Sequence, residues 1–320
     1  MELRKLILKF ILFSLLLASV YFFAVWQVAQ GQVDYFYSKF THQASSLIIG
    51  ISRSNDGISP SVIEQNFGNN EIDYPVLNFA FAHQTSDYGP VYLHAIQKKL
   101  RPETKNGLFI LEVNPGSLSI PQSQPDSIST IQADQSFLSK INHFNQHPNF
   151  EYIRKMYNES LYKGFQKSRR IDKIRYSHAD GWQEVLMKYE DYEVSNEEVL
   201  EWKGMKLEEA IKMKDQFKAS KARMLYLEKT INYLKDFGEV YLVRVPISRE
   251  LAEIEQSFWP EFNNLIDEIA CKSKVGYFDY SMKGELYSTY DGSHLFGAGA
   301  KAFTQQLCND IKSFRVSVKN

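Results

Sequence analysis

The stretch Ser-Leu-Ile-Ile-Gly-Ile-Ser, residues 46–52, decides the fold. Its apolar run is typical of a strand that is buried on both faces of a parallel sheet. We predict a strand over 46–51, so Ser52 lies where the strand gives way to a loop. Ligands of such sheets bind at the carboxyl ends of the strands, which puts Ser52 at the edge where a site is expected.

Similar apolar runs recur along the chain and alternate with amphipathic segments. Strands are predicted at 75–81, 108–113, 240–245 and 275–280, and helices at 92–100, 207–237, 251–272 and 298–314. This alternation predicts an α/β domain in which a parallel sheet carries helices on both faces. His83 and Asn114 follow the second and third strands, so both join Ser52 as candidate site residues.

The alternating pattern is interrupted between residues 120 and 205. Residues 119–135 are rich in Ser, Gln, Asp and Pro, and polar, tyrosine-rich segments follow them. We interpret the interruption as a helical insertion that forms a lid or a partner surface over the site. A disordered linker is the alternative, and the aromatic content argues against it. We therefore expect residues 34–320 to form one interrupted α/β domain.

Residues 1–33 are interpreted as a short tail and a membrane anchor. Phe10–Val28 carries no charge, and its roughly 19 residues span about 28 Å as a helix, close to the thickness of a bilayer core. Basic residues precede this run, and Asp34 is the first charge after it. The positive-inside tendency predicts a cytoplasmic N-terminus and an extracytoplasmic domain. A signal peptide cleaved after Ala29-Gln30-Gly31 is the alternative, and it also exports the domain.

Composition and residue spacing bear on partners, metals and redox state. A net charge of −1, without a long run of one sign, argues against a nucleic-acid partner. Outside the cytoplasm Cys271 and Cys308 could form a disulfide, and two free thiols are an equal alternative. His143 and His147 have the i,i+4 spacing of a helical metal site, but without a third ligand a solvated pair is favoured and no metal is expected.

Asp291-Gly292-Ser293-His294 lies just before the last predicted helix. Serine attacks a carbonyl carbon when a base removes its proton, and histidine is the usual base because its pKa lies near neutrality. A carboxylate that hydrogen-bonds the imidazole keeps it in the required tautomer. We therefore predict that Ser52, His294 and Asp291 meet as nucleophile, general base and orienting acid. There are three alternatives. Gly-x-Ser is a strand-ending turn without a catalytic role, Asp291 is the cap of a helix or turn, or a shifted turn makes Ser54 the nucleophile.

Four blocks of the sequence resemble the SGNH hydrolase superfamily. They are IIGISRSNDGISP (48–60), LNFAFA (77–82), LFILEVN (108–114) and YDGSHLFGAG (290–299). The last block is the most specific, because it matches the D-x-x-H-L-x-x-x-G signature in residues and in position. With its anchor the chain looks most like the membrane-tethered branch that acts in cell-envelope acylation, which includes proteins of teichoic acid D-alanylation and alginate O-acetylation.

The resemblance implies a three-layer α/β/α flavodoxin-like fold with a Ser/His/Asp site and no cofactor. It makes Ser52 the nucleophile, His294 the base and Asp291 its orienter. It places Asn114 and the backbone N–H of Ser52 as oxyanion donors. The implied function is a serine esterase or O-acyltransferase whose substrate is an acylated envelope glycan or a small ester. The alternative is a weak or inactive accessory protein that docks on a membrane-bound O-acyltransferase.

Two departures from the family pattern concern the oxyanion region. Isoleucine replaces the usual aspartate before Ser52, and Glu112 replaces the glycine expected two residues before Asn114. The loop after the second strand also lacks its usual glycine and has His83 nearby. We expect these side chains to narrow or reshape the oxyanion hole. Loss of one oxyanion donor typically lowers the rate by about 10²–10³-fold.

Three further positions keep two interpretations each. Arg53 binds a phosphate or carboxylate of the polymer, or it forms a structural salt bridge. His83 contacts substrate, or it is a surface loop residue. Asp180-Gly181-Trp182 is a sugar-stacking platform, or it is a turn followed by a packed tryptophan.

Overall fold

The five predicted strands all form, and they build one parallel sheet. The computed structural model describes residues 2–30, 34–132, 137–165 and 174–319. The strands are β1 (Ser46–Ile49), β2 (Val76–Asn78), β3 (Gly107–Glu112), β4 (Ser119–Pro121), β5 (Arg175–Ser177), β6 (Gln183–Val185), β7 (Lys188–Tyr189), β8 (Tyr192–Glu193), β9 (Phe217–Ala219), β10 (Gly238–Arg244) and β11 (Gly276–Asp279). The α-helices are α1 (Glu2–Gln30), α2 (Ser52–Gly57), α3 (Pro60–Asn66), α4 (Pro90–Lys99), α5 (Ile128–Gln132), α6 (Phe150–Met156), α7 (Asn196–Gln216), α8 (Lys221–Lys235), α9 (Arg249–Phe258), α10 (Phe262–Ser273) and α11 (Gly297–Lys319). Short 3₁₀ helices lie at Tyr37–Phe40, Phe137–Lys140, Leu161–Phe165 and Ser281–Leu286.

The sheet has the strand order β11-β10-β3-β1-β2, and every neighbouring pair in it is parallel. The predicted α/β class with a parallel sheet is therefore confirmed. From β1 the chain moves to β2 on one side and then returns to β3 on the other, so the direction of winding reverses between β1 and β3. Ligands of doubly wound sheets bind at the carboxyl ends of strands beside such a reversal. Ser52 and Asn114 follow these two strands.

Helices cover both faces of the sheet. Along β3, Phe109 and Leu111 pack into one core together with residues of α8 and α10, whereas Leu108 and Ile110 pack into a second core with α3 and α11. The alternation follows from the period of two of strand side chains. All residues of β3 are buried. Burial on both faces explains why the strand sequences are continuous apolar runs.

The single helix predicted over 207–237 is wrong, because the segment forms two helices. α7 ends at Gln216, and Phe217–Ala219 form β9, which pairs antiparallel with β4. The hydroxyl oxygen of Ser220 then accepts a hydrogen bond from the Arg223 N–H and caps α8. The pairing and the cap stabilise a break where side-chain periodicity alone predicts continuity.

The insertion is not wholly helical, which corrects the sequence-based prediction. Two antiparallel hairpins, β5–β6 and β7–β8, lie within it next to its helices. Residues 133–136 and 166–173 of the insertion are outside the described part of the chain. Trp182 is fully buried in the second core, so this part of the insertion is packed into the domain. The segment that crosses the site is α7, which begins inside the insertion.

α1 is long and apolar enough to cross a membrane, by length and composition. Its last turn belongs to the core of the domain, since Val28 and Ala29 are buried and the Tyr37 hydroxyl donates to the Ala29 carbonyl at 2.9 Å. The ring of Phe165 in the insertion lies 6.1 Å from that of Phe23. Gly31, the third residue of the alternative cleavage site, lies outside the described residues.

The two cysteines are both free, so the disulfide alternative is wrong. Cys271 is exposed on α10, whose apolar side packs into the first core. Cys308 is buried on α11 within the second core. The two cores lie on opposite faces of the sheet, and this separation keeps the two thiols apart.

Candidate active site

Ser52 is the first residue of α2 and lies two residues beyond Gly50, at the end of β1. Gly50 has a φ of +152°, and a Cβ at this position would lie 2.6 Å from the Cβ of Glu112. Only glycine fits a turn that approaches another strand so closely. The side chain of Ser52 is partly exposed. The turn therefore presents a reachable hydroxyl at the edge of the sheet.

The imidazole of His294 lies between Ser52 and Asp291. Its Nε2 is 2.8 Å from the Ser52 Oγ, and its Nδ1 is 2.7 Å from the Asp291 Oδ2. An ionised carboxylate only accepts, so Nδ1–H donates to Asp291, and Nε2 is left to accept from the Ser52 hydroxyl. The structure thus brings Ser52 to Asp291 and His294, which lie about 240 positions later in the sequence.

The loop around His294 holds Asp291 ionised and oriented. The Asp291 Oδ1 accepts hydrogen bonds from the backbone N–H groups of Ser293 and His294, each at 2.8 Å. Burial acts to raise the pKa of Asp291, but the contact with His294 and these hydrogen bonds outweigh it, so the pKa lies below its ordinary value. Gly292 has a φ of +78°, which lets the loop turn within this short span.

The ring of Tyr290 stacks against one face of the His294 imidazole. The two rings are stacked with centroids 5.5 Å apart and an interplanar angle of 13°. The Tyr290 hydroxyl donates to the Asp56 Oδ2 at 2.8 Å, and the Asp56 carbonyl accepts from the Trp182 indole N–H at 2.8 Å. The tyrosine is thereby held by α2, the helix that begins at Ser52. Its ring restricts the imidazole to one orientation.

Arg53 lies beside the three residues but points into a structural network. Its Nε donates to the Ser293 Oγ at 3.0 Å, and its guanidinium pairs with Glu255 on α9 at 2.6 Å. Arg244 pairs with the other oxygen of Glu255 at 2.7 Å. The salt-bridge interpretation of Arg53 therefore accounts for its geometry. Through Ser293 it also fixes the loop that carries His294.

Asn114 reaches the same edge from β3, and its side chain is already engaged. Its Oδ1 accepts from the Ser117 N–H at 3.0 Å, and its amide N–H donates to Glu112. Glu112 is fully buried, and its second carboxylate oxygen accepts from the Ile51 N–H at 3.0 Å. Burial raises the pKa of Glu112 above its ordinary value, although Ile51, Arg53 and Asn114 all act to lower it. Glu112 thus fills space beside the turn and connects the ends of β1 and β3.

His83 follows β2 and lines the cleft that contains Ser52. Its Nδ1 contacts the Asp87 Oδ1 at 3.0 Å, and no partner of its buried Nε2 is found among the described residues. Burial acts to lower the pKa of His83, but Asp87 outweighs this and raises it. The ring also lies 5.8 Å from Phe217, at the end of α7. His83 lies at the margin of the cleft, and among the described residues no hydrogen bond joins its side chain to Ser52, His294 or Asp291.

The cleft itself has a volume of about 680 Å³, including its open mouth. Its floor and sides are formed by the turn at Ser52, the loop after β3, the helix α9 and one face of α7. The lining residues include Ser52, Arg53, His83, Asn114, Ser293, Met213, Leu251, Ile254 and Phe258. No residue of α7 is fully buried. Five of its residues line one side of the cleft, namely Lys206, Glu209, Ala210, Met213 and Lys214.

The remaining sequence candidates lie apart from this site or are engaged elsewhere. The Ser54 hydroxyl is buried and donates to the Ile51 carbonyl at 3.0 Å, which disfavours it as the nucleophile. Trp182 is a packed tryptophan and is not a sugar-stacking platform, because its side chain is fully buried. Among the residues that the structure describes, no group of three metal-ligating side chains occurs, and neither His143 nor His147 belongs to such a group.

Sequence reasoning missed Tyr290, Glu255 and the role of Glu112. The apolar residues of α9 recur at helical spacing, which could have indicated a face that lines a cleft. The stacking of Tyr290 and the bridge at Glu255 join segments that are far apart in the chain, so no local signal marks them.

Comparison with protein-family models, with characterised proteins and with solved structures gives no match to this chain. The functional interpretation therefore rests on the residues and their geometry.

Proposed function

We propose that the chain is a membrane-anchored serine esterase or O-acyltransferase of the SGNH type that acts on acylated cell-envelope glycans. The observation that carries the proposal is the continuous contact from Ser52 through His294 to Asp291. It lies at the carboxyl edge of the sheet, beside the reversal between β1 and β3. The order of the five sheet strands is also that of flavodoxin-like sheets, the fold that the sequence resemblance implies.

The chemistry follows from the direction of these hydrogen bonds. The Ser52 Oγ attacks the ester carbonyl carbon while its proton moves to the His294 Nε2. The protonated imidazole then gives this proton to the departing alcohol, and an acyl group remains on Ser52. Water or a sugar hydroxyl attacks the acyl carbon, again with His294 as the base, and Ser52 is released. Asp291 stabilises the imidazolium in both steps.

Stabilisation of the oxyanion is assigned to Asn114 and the backbone N–H of Ser52. Asn114 lies at the end of the neighbouring strand and lines the same cleft as Ser52. One of its amide hydrogens is donated to Glu112, and the other has no acceptor among the described residues, so it can be donated to a developing negative charge. We assign the domain to the extracytoplasmic side, because basic residues precede the apolar run of α1.

A fluorophosphonate probe tests this proposal on the full chain in lipid nanodiscs. We expect labelling of the wild type and of Ser54→Ala, and no labelling of Ser52→Ala. Labelling that persists in Ser52→Ala would show that another residue is the nucleophile. Hydrolysis of a chromogenic ester, measured on the same three proteins, should follow the same pattern.

One observation favours a second candidate function. Glu112 accepts a hydrogen bond from one of the two side-chain N–H groups of Asn114 and lies against the turn at Ser52, which weakens the oxyanion region. In that case the domain is an accessory protein that docks on a membrane-bound O-acyltransferase. No labelling of the wild type, combined with co-purification of such an enzyme, would support this candidate over the first.

A further inference from the structure

We infer that the acyl group of the substrate is an aliphatic chain longer than acetyl and that it binds between α7 and α9. The inference rests on the proposed function and adds the substrate class. The groove concerned, called the α7–α9 groove here, is lined by five apolar residues of the cleft. These are Ala210 and Met213 of α7 and Leu251, Ile254 and Phe258 of α9.

The α7–α9 groove is continuous with the reacting hydroxyl. Ser52 and Ser293 line the same cleft as Met213 and Phe258. On α9 the apolar positions are separated by three and four residues, so they form one face of the helix. Glu255 lies on that face as well, and its salt bridge with Arg53 joins α9 to the turn at Ser52. A substrate held at Ser52 therefore meets this apolar face.

One end of the α7–α9 groove is closed by packing between the two helices, and the end at Met213 is open. Leu207 and Ala210 pack against a small core at the start of α9, which consists of Ile247, Leu251 and Ala252. Met213, one turn further along, is partly buried and does not belong to this core. Its flexible thioether side chain suits variable apolar occupants. Met213, Ile254 and Phe258 are partly exposed, whereas Leu251 is already buried. An acetyl group would leave the exposed parts of these three side chains in contact with water, whereas a longer chain would cover them.

The alcohol side of the ester does not account for the groove. In the proposed function the alcohol is a glycan hydroxyl, which is polar and gains little from apolar walls. Charged residues of α7, namely Lys206, Glu209 and Lys214, line the cleft beside the groove and suit that side better. We therefore assign the apolar walls to the acyl group.

The test uses p-nitrophenyl esters of increasing acyl length with the full chain in nanodiscs, and Ser52→Ala supplies the background. Each methylene buried in an apolar site raises kcat/KM by about fourfold, equivalent to about 0.8 kcal/mol. We expect a gain of at least about tenfold from acetyl to hexanoyl, since burial is partial. A second series of alkyl acetates varies only the alcohol, and we expect no comparable gain there.

Met213→Trp and Ile211→Trp form a matched pair on α7. Ile211 is 51% exposed and lies outside the cleft. We expect Met213→Trp to fill the groove and to abolish most of the gain in kcat/KM from acetyl to hexanoyl, because the longer chain can no longer be buried there. Ile211→Trp should keep the wild-type ratio, and equal unfolding temperatures of the two variants would show that both are folded.

Three outcomes are decisive against the inference. Turnover that depends on Ser52 but is fastest with acetyl would overturn the acyl assignment and leave the proposed function intact. A length dependence confined to the alkyl acetates would also overturn it, because the chain would then lie on the alcohol side. If no ester is turned over and no probe labels Ser52, the proposed function itself fails and the inference fails with it.

Discussion

The buried carboxylate of Glu112 accepts a hydrogen bond from the backbone N–H of Ile51, with 3.0 Å between the two heavy atoms. Ile51 directly precedes the candidate nucleophile, and the other oxygen of Glu112 accepts from Asn114. One side chain therefore sets the position of the turn and of the proposed oxyanion donor. Burial raises the pKa of Glu112, because a charged carboxylate is less stable away from water. Its role is therefore to hold the turn and Asn114 in place.

The first prediction concerns the coupling of Glu112 and Asn114. Asn114→Ala should lower kcat by about 10²–10³-fold, as expected for the loss of one oxyanion donor. Glu112→Ala should lower kcat by about tenfold, because it acts only by positioning Asn114 and the turn. The double variant should be no slower than Asn114→Ala alone, since both changes affect one unit.

Steady-state kinetics with a chromogenic ester measure this cycle, and Glu112→Gln is the matched control. Its amide oxygen can still accept from one of the two donors, so its kcat should lie between that of wild type and Glu112→Ala. Fully additive losses would show that Glu112 acts independently of Asn114.

A second prediction concerns Asp291. Asp291→Asn leaves the shape of the loop but presents an amide to His294, which favours the wrong tautomer, and kcat should fall by about 10⁴-fold. The pKa of Asp291 lies below its ordinary value of 3.8, so the carboxylate is fully ionised throughout the neutral range. Steady-state kinetics with a chromogenic ester at neutral pH measure this loss.

The exposed Asp267 on α10 provides the control for that change. Asp267→Asn should retain the wild-type kcat, because the residue is exposed and makes no contact with the site. An Asp291→Asn variant that keeps more than about a tenth of the wild-type kcat would contradict the role of Asp291 as the orienting acid.

The parts of this molecule that follow from local sequence are the strands and the strand-end residues. Buried strands show as continuous apolar runs such as 46–49 and 108–111, and their ends place Ser52 and Asn114 correctly relative to the sheet. The contact of Ser52 with His294 joins positions about 240 residues apart, so no local pattern predicts it. It is predicted by the need of a serine nucleophile for a base and by the resemblance to the SGNH signature.

The break between α7 and α8 could not be predicted from periodicity. Phe217 fits the helical spacing, yet its backbone pairs with Pro121 across the chain, an interaction without a local signal. The burial of Trp182 also has no local signal, because the carbonyl that accepts its indole N–H belongs to Asp56, which is distant in sequence. Pairings of this kind depend on the tertiary arrangement, which overrides local propensity.

A third prediction concerns the stability contributed by Glu255. Its carboxylate lies between Arg53 at 2.6 Å and Arg244 at 2.7 Å. Glu255→Gln removes the carboxylate that these two largely buried guanidinium groups share, although Arg244 keeps a 3.7 Å pair with Asp279. It should lower the free energy of unfolding by about 3 kcal/mol. On the same helix Glu253→Gln breaks an exposed pair with Arg249 and should lower it by less than about 1 kcal/mol.

The effect of Glu255 should depend on pH with a defined sign. Burial acts to raise its pKa, but Arg53 and Arg244 outweigh burial and lower it below 4.5. The stabilisation is therefore complete above the unfolded-state pKa of about 4.3 and is lost as the pH falls through the lower folded-state pKa. Chemical denaturation at several pH values should show the wild type approaching Glu255→Gln in acid. A difference that grows with acidity would contradict the assignment.

The last prediction is that α1 remains attached to the mature protein. Val28 and Ala29 are part of the domain core, and cleavage after Gly31 would remove them. Intact-mass measurement of the membrane-extracted protein should therefore include the first 31 residues, whereas a mature N-terminus at Gln32 would contradict this. Val28→Ala should lower the free energy of unfolding of the domain by about 2 kcal/mol, through lost burial and a cavity. Val20→Ala, on an exposed part of the same helix, should leave it unchanged.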